Sequence, residues 1–411
     1  MTHVLYGAEG LAPWLAGSGP ASGETTLLVD AAVARNPITE RVRRQIGRAR
    51  RQERLIELHG PGDADSVREL AARLTGTGLI LAVGGGSLLD QAKLASLLCG
   101  DEDARRRLIV RQRSGLLLLP PHTKRSVPLF AVPTTLGTGA EVSTVACLAH
   151  PEGKRLVTGA GLRPDLAVLD PVATATLPAE LVSEGVLETL FRLTSGYLGD
   201  HEDRPTEDAL VETLAARVAE EGYAVARAHA AGGRVDDALL LEIAKLSGLA
   251  HNEFMHFGRP SFVNKGWLIA NELSTGLGAR KMAAVAVIMP ELWRRVAGGD
   301  RRLGSARRLA RLWTRIRAAA PAGLPADPGQ GIAALIDAWG VDRSLRADGA
   351  TLDLIAGRIV RSWGTGLPML GALTRDDIDD FLTRAVSATA PHDFPCHTGA
   401  GDHHMRKEVC K

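Results

Sequence analysis

The chain has 411 residues, of which 45% are hydrophobic and 23% charged, with a formal net charge of +2. That is enough apolar material for a large core split over two domains, and the charge balance gives no reason to expect a nucleic-acid or membrane partner. No apolar run reaches spanning length and no basic start leads into a cleavable apolar segment, so a cytoplasmic protein is expected.

Residues 3–6 and 25–29 read as short buried strands, each followed by a helix, the opening of a βαβ series. Asp30 closes the second strand and suits a helix N-cap. A strand over 54–58, a helix over 64–74 and a strand over 79–83 continue the alternation, which predicts a parallel sheet. That last strand runs into Gly84, Gly85 and Gly86, after which Ser87 opens a helix reaching residue 98. Residues 101–126 read as a charged surface excursion without chemistry. The strand 129–132 then leads into a second loop, in which Thr134, Thr135 and Thr138 put hydroxyls beside Gly137 and Gly139. Glycines allow close backbone approach and a helix start offers free N–H groups, so the two loops together predict a cradle for the pyrophosphate of a dinucleotide. Asp30 then reads equally as a cap and as an acceptor for the adenosine ribose. In the second role it favours NAD, with NADP as the alternative.

From residue 178 onward strand-like runs give way to amphipathic helical periods at 181–198, 206–228, 236–249, 265–273, 306–318, 332–339 and 351–360. The expected division is an α/β dinucleotide-binding domain over 1–178 and a helical domain over 179–411. The Arg-rich stretches 41–54 and 301–317 have helical spacing and read as solvated helix faces. Cys99, Cys147, Cys396 and Cys410 show no CxxC spacing and are expected to be reduced thiols.

GGGSLLDQAK, PTTLGTGAEVS, Lys154 and PDLAVLDPVATATLP follow one another as in the iron-containing (group III) alcohol dehydrogenases, whose superfamily also includes dehydroquinate synthase. The resemblance spans most of the N-terminal half, with helical landmarks beyond. It implies that Gly84, Gly85, Gly86 and Ser87 hold the pyrophosphate, that Thr134, Thr135, Thr138 and Lys154 hold the rest of the nucleotide, and that Asp90 lies beside it. Ala140 replaces the usual serine, a small departure.

The larger departure concerns the metal. The family takes its first two ligands from an Asp and a His four residues apart on one helix, and here those positions carry Glu188 and Arg192. Trp267 takes the second metal histidine, Asn271 a non-ligand histidine and Lys281, counted back from Pro290, the last histidine. Arginine has no lone pair to donate, and one carboxylate among four positions does not hold a divalent ion. No metal is therefore expected. In its place Lys281 would take the hydroxyl proton or stabilise an oxyanion, Arg192 would grip a substrate carboxylate, and Glu188 would orient one of them. The plainer alternative is that Glu188 and Arg192 are a stabilising i,i+4 pair and Lys281 a solvated residue. Trp267, Asn271, His256 and Arg259 are expected to contact substrate. His251 and His256, with the tail donors His392, Cys396, His397, His403, His404 and Cys410, could in principle restore a metal, but they lack ligand spacing; the tail reads better as a disordered segment or an ordinary surface cap, and His256 better as a substrate contact.

A carboxylate clamp beside a hydride acceptor predicts a β-hydroxy acid, whose oxidation yields a β-keto acid that loses carbon dioxide. In this the chain resembles the dehydrogenases of daptide-type ribosomal peptide biosynthesis, which oxidise and decarboxylate a peptide's C-terminal threonine before an aminotransferase acts. The expected partners are thus a small hydroxy acid or a precursor-peptide C-terminus, an aminotransferase and a second copy in a homodimer. The alternatives are a non-catalytic nucleotide- or peptide-binding subunit, a conventional metal-dependent alcohol dehydrogenase, and a cyclase of the dehydroquinate synthase kind.

Overall fold

The computed structural model describes residues 1–18, 23–109, 112, 114–150, 153–321 and 323–388. Its strands are β1 (His3–Tyr6), β2 (Glu24–Asp30), β3 (Glu53–Leu58), β4 (Thr77–Gly84), β5 (Leu116–Leu118), β6 (Leu129–Pro133), β7 (Val145–His150), β8 (Gly153–Thr158) and β9 (Leu166–Leu169). Six of them form a parallel sheet in the order β1-β9-β6-β4-β2-β3. Side chains alternate across it, as the pleat requires. Leu27, Val29, Leu81, Val83 and Val132 pack on α1 (Leu11–Gly17) and α2 (Pro37–Arg48). Leu28, Ile80, Ala82 and Ala131 pack on α3 (Ala64–Arg73) and α4 (Gly86–Leu98). Because β3 lies on one side of β2 and β4 on the other, the order reverses there, and a crevice opens at the carboxyl ends of β2, β4 and β6.

Residues 101–126, read from sequence as a charged surface excursion, contain α5 (Glu102–Ile109) and β5. β5 joins β8 and β7 in a separate three-stranded sheet. The strand is three residues long with one side chain buried, too little pattern to read from sequence.

After α6 (Pro171–Thr174) the chain is helical apart from a short parallel pair, β10 (Arg346–Ala347) with β11 (Ser387–Ala388): α7 (Ala179–Gly199), α8 (Pro205–Ala230), α9 (Asp237–Ala250), α10 (Lys265–Gly276), α11 (Lys281–Ala297), α12 (Ala306–Ala319), α13 (Pro328–Ala338), α14 (Gly349–Trp363) and α15 (Arg375–Ala385). One apolar core joins them, and Leu136 of the second loop belongs to it. Neither α11 nor α15 is among the expected helices. α11 is buried on every side from Met282 to Met289 and contains Pro290, so it has no polar face to set a period. α15 is short, but Ile378, Phe381 and Leu382 form its inner stripe and Thr374 with Asp377 its capping box. No helix among the described residues is long and apolar enough to cross a membrane.

The Arg-rich stretch 301–317 is not simply a solvated face. Arg308 is fully buried, its guanidinium 2.5 and 2.7 Å from the two oxygens of Asp208. Arg311 bonds the Tyr197 hydroxyl and Glu212. Burial alone would raise the Asp208 carboxyl, but hydrogen bonds from Arg308, Arg204 and Arg259 hold it far below the usual carboxylate range. Arg308→Ala removes the buried guanidinium that closes on both Asp208 oxygens but leaves Asp208 its contacts with Arg259, Arg311 and the Arg204 N–H, so it is expected to cost about 2–3 kcal/mol in urea unfolding. Arg307→Ala, which loses only an exposed pair with Asp203, is expected to cost about 1 kcal/mol or less. Equal effects would mean that the buried pair is no more costly to break than the exposed one.

Candidate functional site

The two glycine-containing loops meet at the crevice. α4 begins on Gly86 with Gly85 as its cap residue and no side-chain cap, which leaves its first N–H groups facing the crevice. A Cβ on Gly85 would lie 3.0 Å from the Thr135 methyl, and one on Gly86 3.0 Å from the Thr138 methyl, so side chains there would drive the loops apart. The Thr134 N–H donates to the Gly84 carbonyl at 3.0 Å, and the Thr135 hydroxyl is buried without a partner. An orphan hydroxyl over uncapped amides suits a phosphate oxygen. Asp30 accepts from the Ala32 N–H at 3.0 Å, so the cap reading holds. Its carboxylate nevertheless ends β2, one residue past the Val29–Val83 pair, at the edge of the same crevice.

The second loop also touches the helical domain. At Gly137, with φ of 88°, a Cβ would meet the Gly185 carbonyl at 2.6 Å and the Glu188 Cβ at 2.7 Å. Glycine is thus required twice, for the backbone and for the approach to α7. This contact sets the cradle against the helix that carries Glu188 and Arg192.

Three helices bring the four expected positions together around one indole. The Arg192 Cζ lies 4.2 Å and the Lys281 Nζ 3.8 Å from the centroid of the Trp267 ring, and Phe191 stacks on the same ring at 5.6 Å. Glu188 Oε1 is 2.8 Å from the Lys281 Nζ, an ion pair by distance although not aligned as a hydrogen bond. Lys281 is therefore paired rather than freely solvated, and Glu188 engages Lys281 rather than Arg192. Arg192 forms no ion pair among the described residues and its Nε is buried without a partner. Burial works against its charge, while Glu188 supports it. Asn271 is 1% exposed, and neither end of its amide finds a partner.

Around this cluster stand residues that tie it to the cradle. Asp90 accepts from the Cys147 N–H at 2.9 Å. Lys93, fully buried, reaches Asp90 at 3.4 Å, the Ser143 hydroxyl at 3.0 Å and the Val145 carbonyl at 2.9 Å. Lys154 lies opposite Ala149 in the β7–β8 hairpin, and its pKa is lowered by burial and further by the charge of Lys281.

The remaining expectations divide. Arg259 is not placed for substrate: two buried carboxylates, Asp200 at 3.1 Å and Asp208 at 2.9 Å, already neutralise it. His256 is exposed beside Gly196, one helical turn beyond Arg192. His392, Cys396, His397, His403, His404 and Cys410 lie outside the described residues. Cys147 and His251, to which the sequence reading gave no role in the cleft, both come close to it. The Cys147 thiol senses Asp90, Lys281, Lys154 and Arg192, burial raising its pKa. The signal for it was its position on the strand leaving the second loop. His251 bonds the Ser247 carbonyl through Nδ1 at 3.0 Å, and its Nε2 is buried without a partner. Burial and the charge of Arg192 hold it neutral. Its ring packs on Gly139, where a Cβ would be 2.0 Å from Nδ1.

Residues 8–171 match the family model for iron-containing alcohol dehydrogenase. The match covers the α/β part of the chain and stops before Glu188, Arg192, Trp267 and Lys281. Phosphonoacetaldehyde reductase of Streptomyces viridochromogenes is 38% identical over 137 residues, 32% of this chain and 34% of that protein. Long-chain-alcohol dehydrogenase 1 of Geobacillus thermodenitrificans is 32% identical over 132 residues, 32% of each chain. The matched stretch spans about a third of the length of these relatives. The whole fold is shared with NADH-dependent butanol dehydrogenase A of Thermotoga maritima, with a TM-score of 0.75 at 18% identity over 94% of this chain and 97% of that one. An alcohol dehydrogenase from an archaeon of a Red Sea brine pool gives 0.77 at 17% identity, over 94% and 97%.

One titration in the second loop is directly testable. Burial pushes the Glu141 carboxyl up to about 7. A carboxyl raised above its unfolded value carries no penalty at low pH, where both states are protonated. Stability is lost as pH rises from the unfolded value through about 7, on the order of 3 kcal/mol in full. Glu141→Gln is therefore expected to raise the melting temperature above pH 7 and to change it little near pH 4. A gain independent of pH would show that Glu141 is ionised throughout.

Proposed function

We propose that the chain is an NAD-dependent dehydrogenase that oxidises a β-hydroxy acid at a fixed cationic site standing where its relatives bind a metal, with NADP as the alternative cofactor. The observation that carries this reading is the cluster on Trp267. The four positions hold one carboxylate, already paired with Lys281, and two cations. Such a set does not fit a divalent ion, since arginine has no lone pair to give a metal and an ammonium repels it. It fits an oxyanion. Arg192, with a buried Nε that finds no partner, suits a substrate carboxylate. Asn271, unsatisfied at both ends, and neutral His251 suit further polar groups of the substrate, and exposed His256 stands at its edge.

The residues at the cradle fit a dinucleotide: Gly84, Gly85, Gly86 and Ser87 with Thr134, Thr135 and Thr138 at the pyrophosphate, Asp30 at the adenosine ribose, and Asp90 and Lys154 toward the nicotinamide. When bound, the dinucleotide supplies the hydride acceptor. Lys281 holds the carbinol oxygen and stabilises the charge that grows on it as the C–H hydride departs, and the hydroxyl proton passes to the Lys281–Glu188 pair. Arg192 fixes the carboxylate on the neighbouring carbon. In the resulting β-keto acid the C–C bond to the carboxylate breaks, carbon dioxide leaves, and Lys281 stabilises the enolate oxygen until carbon is protonated. A peptide ending in threonine meets these requirements, because its Cα bears the carboxylate and its Cβ the hydroxyl. The place in sequence is then ahead of an amine-transferring step that consumes the ketone. A homodimer acting in the cytoplasm completes the proposal.

Incubation of a threonine-ended peptide with NAD is expected to form reduced nicotinamide and to lower the peptide mass by H2 and CO2. A valine-ended peptide is expected to remain unchanged. Lys281→Ala is expected to lower kcat by roughly 100-fold or more. Arg192→Ala is expected to lower kcat/KM by roughly 100-fold, with less loss for an alcohol that lacks the carboxylate. Nucleotide binding without turnover of any hydroxy acid would instead favour a non-catalytic subunit.

A further inference from the structure

Asn271 is 1% exposed, and neither its Oδ1 nor its Nδ2 has a hydrogen-bond partner. A buried amide left in that state loses roughly 1–3 kcal/mol at each end, a loss that a bound molecule with a donor and an acceptor would remove. Asn271 stands one turn after Trp267 on the same face of α10, the face that meets Arg192 of α7 and Lys281 of α11. Glu272, the next residue, turns the other way and accepts from the Trp363 indole N–H of α14 at 3.1 Å. The backbone carbonyl of Asn271 is already engaged by the Ser274 hydroxyl at 3.0 Å and the Thr275 hydroxyl at 2.8 Å. The side-chain amide is thus the free group, and it faces the cation cluster.

Charge narrows what can meet it. Glu188 is paired with Lys281, while Asp90 accepts from the Cys147 N–H and lies 3.4 Å from Lys93. His251 donates through Nδ1 to the Ser247 carbonyl, and burial with the charge of Arg192 holds its ring neutral. An ammonium brought to Asn271 would therefore face Arg192 and Lys281 with the cluster's own carboxylate already taken. A neutral N–H suffers no such repulsion.

With Arg192 on the carboxylate and Lys281 on the carbinol oxygen, the substituent of the α-carbon is the group left unread. We propose that Asn271 is a specificity-determining residue that reads an acylated nitrogen at that position. Its Oδ1 accepts the substrate N–H, and its Nδ2 donates to the carboxylate that Arg192 holds. The substrate class is then an N-acylated β-hydroxy-α-amino acid. A free amino acid is disfavoured by its ammonium, and a hydroxy acid without nitrogen by the acceptor it leaves unsatisfied. The roles of Arg192 and Lys281 rest on the dehydrogenase reading above; the contact between Asn271 and an acylated nitrogen can be measured by binding alone.

The test uses the full chain with NAD and four compounds: N-acetylthreonine, its analogue with an ester oxygen in place of the amide nitrogen, free threonine and 3-hydroxybutyrate. The value of kcat/KM is expected to be highest for N-acetylthreonine and at least about tenfold lower for each of the others. Asn271→Leu, close in size and without hydrogen-bonding groups, is expected to reduce the preference for N-acetylthreonine over its ester analogue to about twofold or less. The comparison within the parent chain needs no variant, so it decides the matter even where Asn271→Leu does not fold. Equal kcat/KM for the amide and the ester in the parent, or a preference that persists in folded Asn271→Leu, overturns the assignment and leaves the amide to a bound water. Should no hydroxy acid be turned over, the dehydrogenase reading fails, and calorimetry on the chain saturated with NADH decides the contact. Binding of N-acetylthreonine about tenfold tighter than that of its ester analogue sustains it, and equal binding overturns it.

Discussion

Two positive side chains share the ring of Trp267, and Glu188 is what makes that arrangement tenable. An ammonium and a guanidinium so close would repel each other strongly at low dielectric. The aromatic ring attracts both, and the carboxylate at 2.8 Å from Lys281 offsets one of them. The result is a cluster with one cation balanced within the protein and one, Arg192, left for something else. The architecture around it is what holds these groups still. α7 contributes Glu188 and Arg192, α10 Trp267 and α11 Lys281, and all three are among the most buried helices of the core.

In the dehydrogenase reading proposed above, the sheet matters because it would deliver a nucleotide to this cluster in one orientation. Gly137 pressed against Gly185 and Glu188 fixes the second loop to α7, and Lys93 fixes α4 to the strand that leaves that loop. A shift of either would separate hydride acceptor and alkoxide stabiliser by more than catalysis tolerates. This also explains why buried, titratable residues such as Asp90, Lys93 and Glu141 gather under the cradle rather than at the surface. Asp90 and Lys93 hold the backbone of β7 there by hydrogen bonds to Cys147 and Val145.

Much of the fold was legible in the sequence because the strands are runs of Leu, Ile and Val set between helices of clear period. The helix α11 was not, since a helix buried on all sides carries no stripe. The cradle was legible because glycines and threonines bear on local backbone geometry. The cation cluster could be assembled only with the resemblance in hand, as Glu188, Trp267 and Lys281 are far apart in the chain and each is unremarkable alone. Arg259 illustrates the limit. Nothing near it in sequence showed that Asp200 and Asp208 would close around it, a contact that depends on how α8 packs. The packing of His251 on Gly139 was hidden in the same way.

The claim on which the account turns is that cationic side chains, and no metal, support the chemistry. Metal content measured against specific activity over successive chelation steps tests it most directly, with turnover of a threonine-ended peptide as the activity. The account predicts that specific activity stays constant as iron and zinc fall far below one atom per chain. Activity that declines in proportion to a bound metal, and returns when that metal is added back, would contradict it.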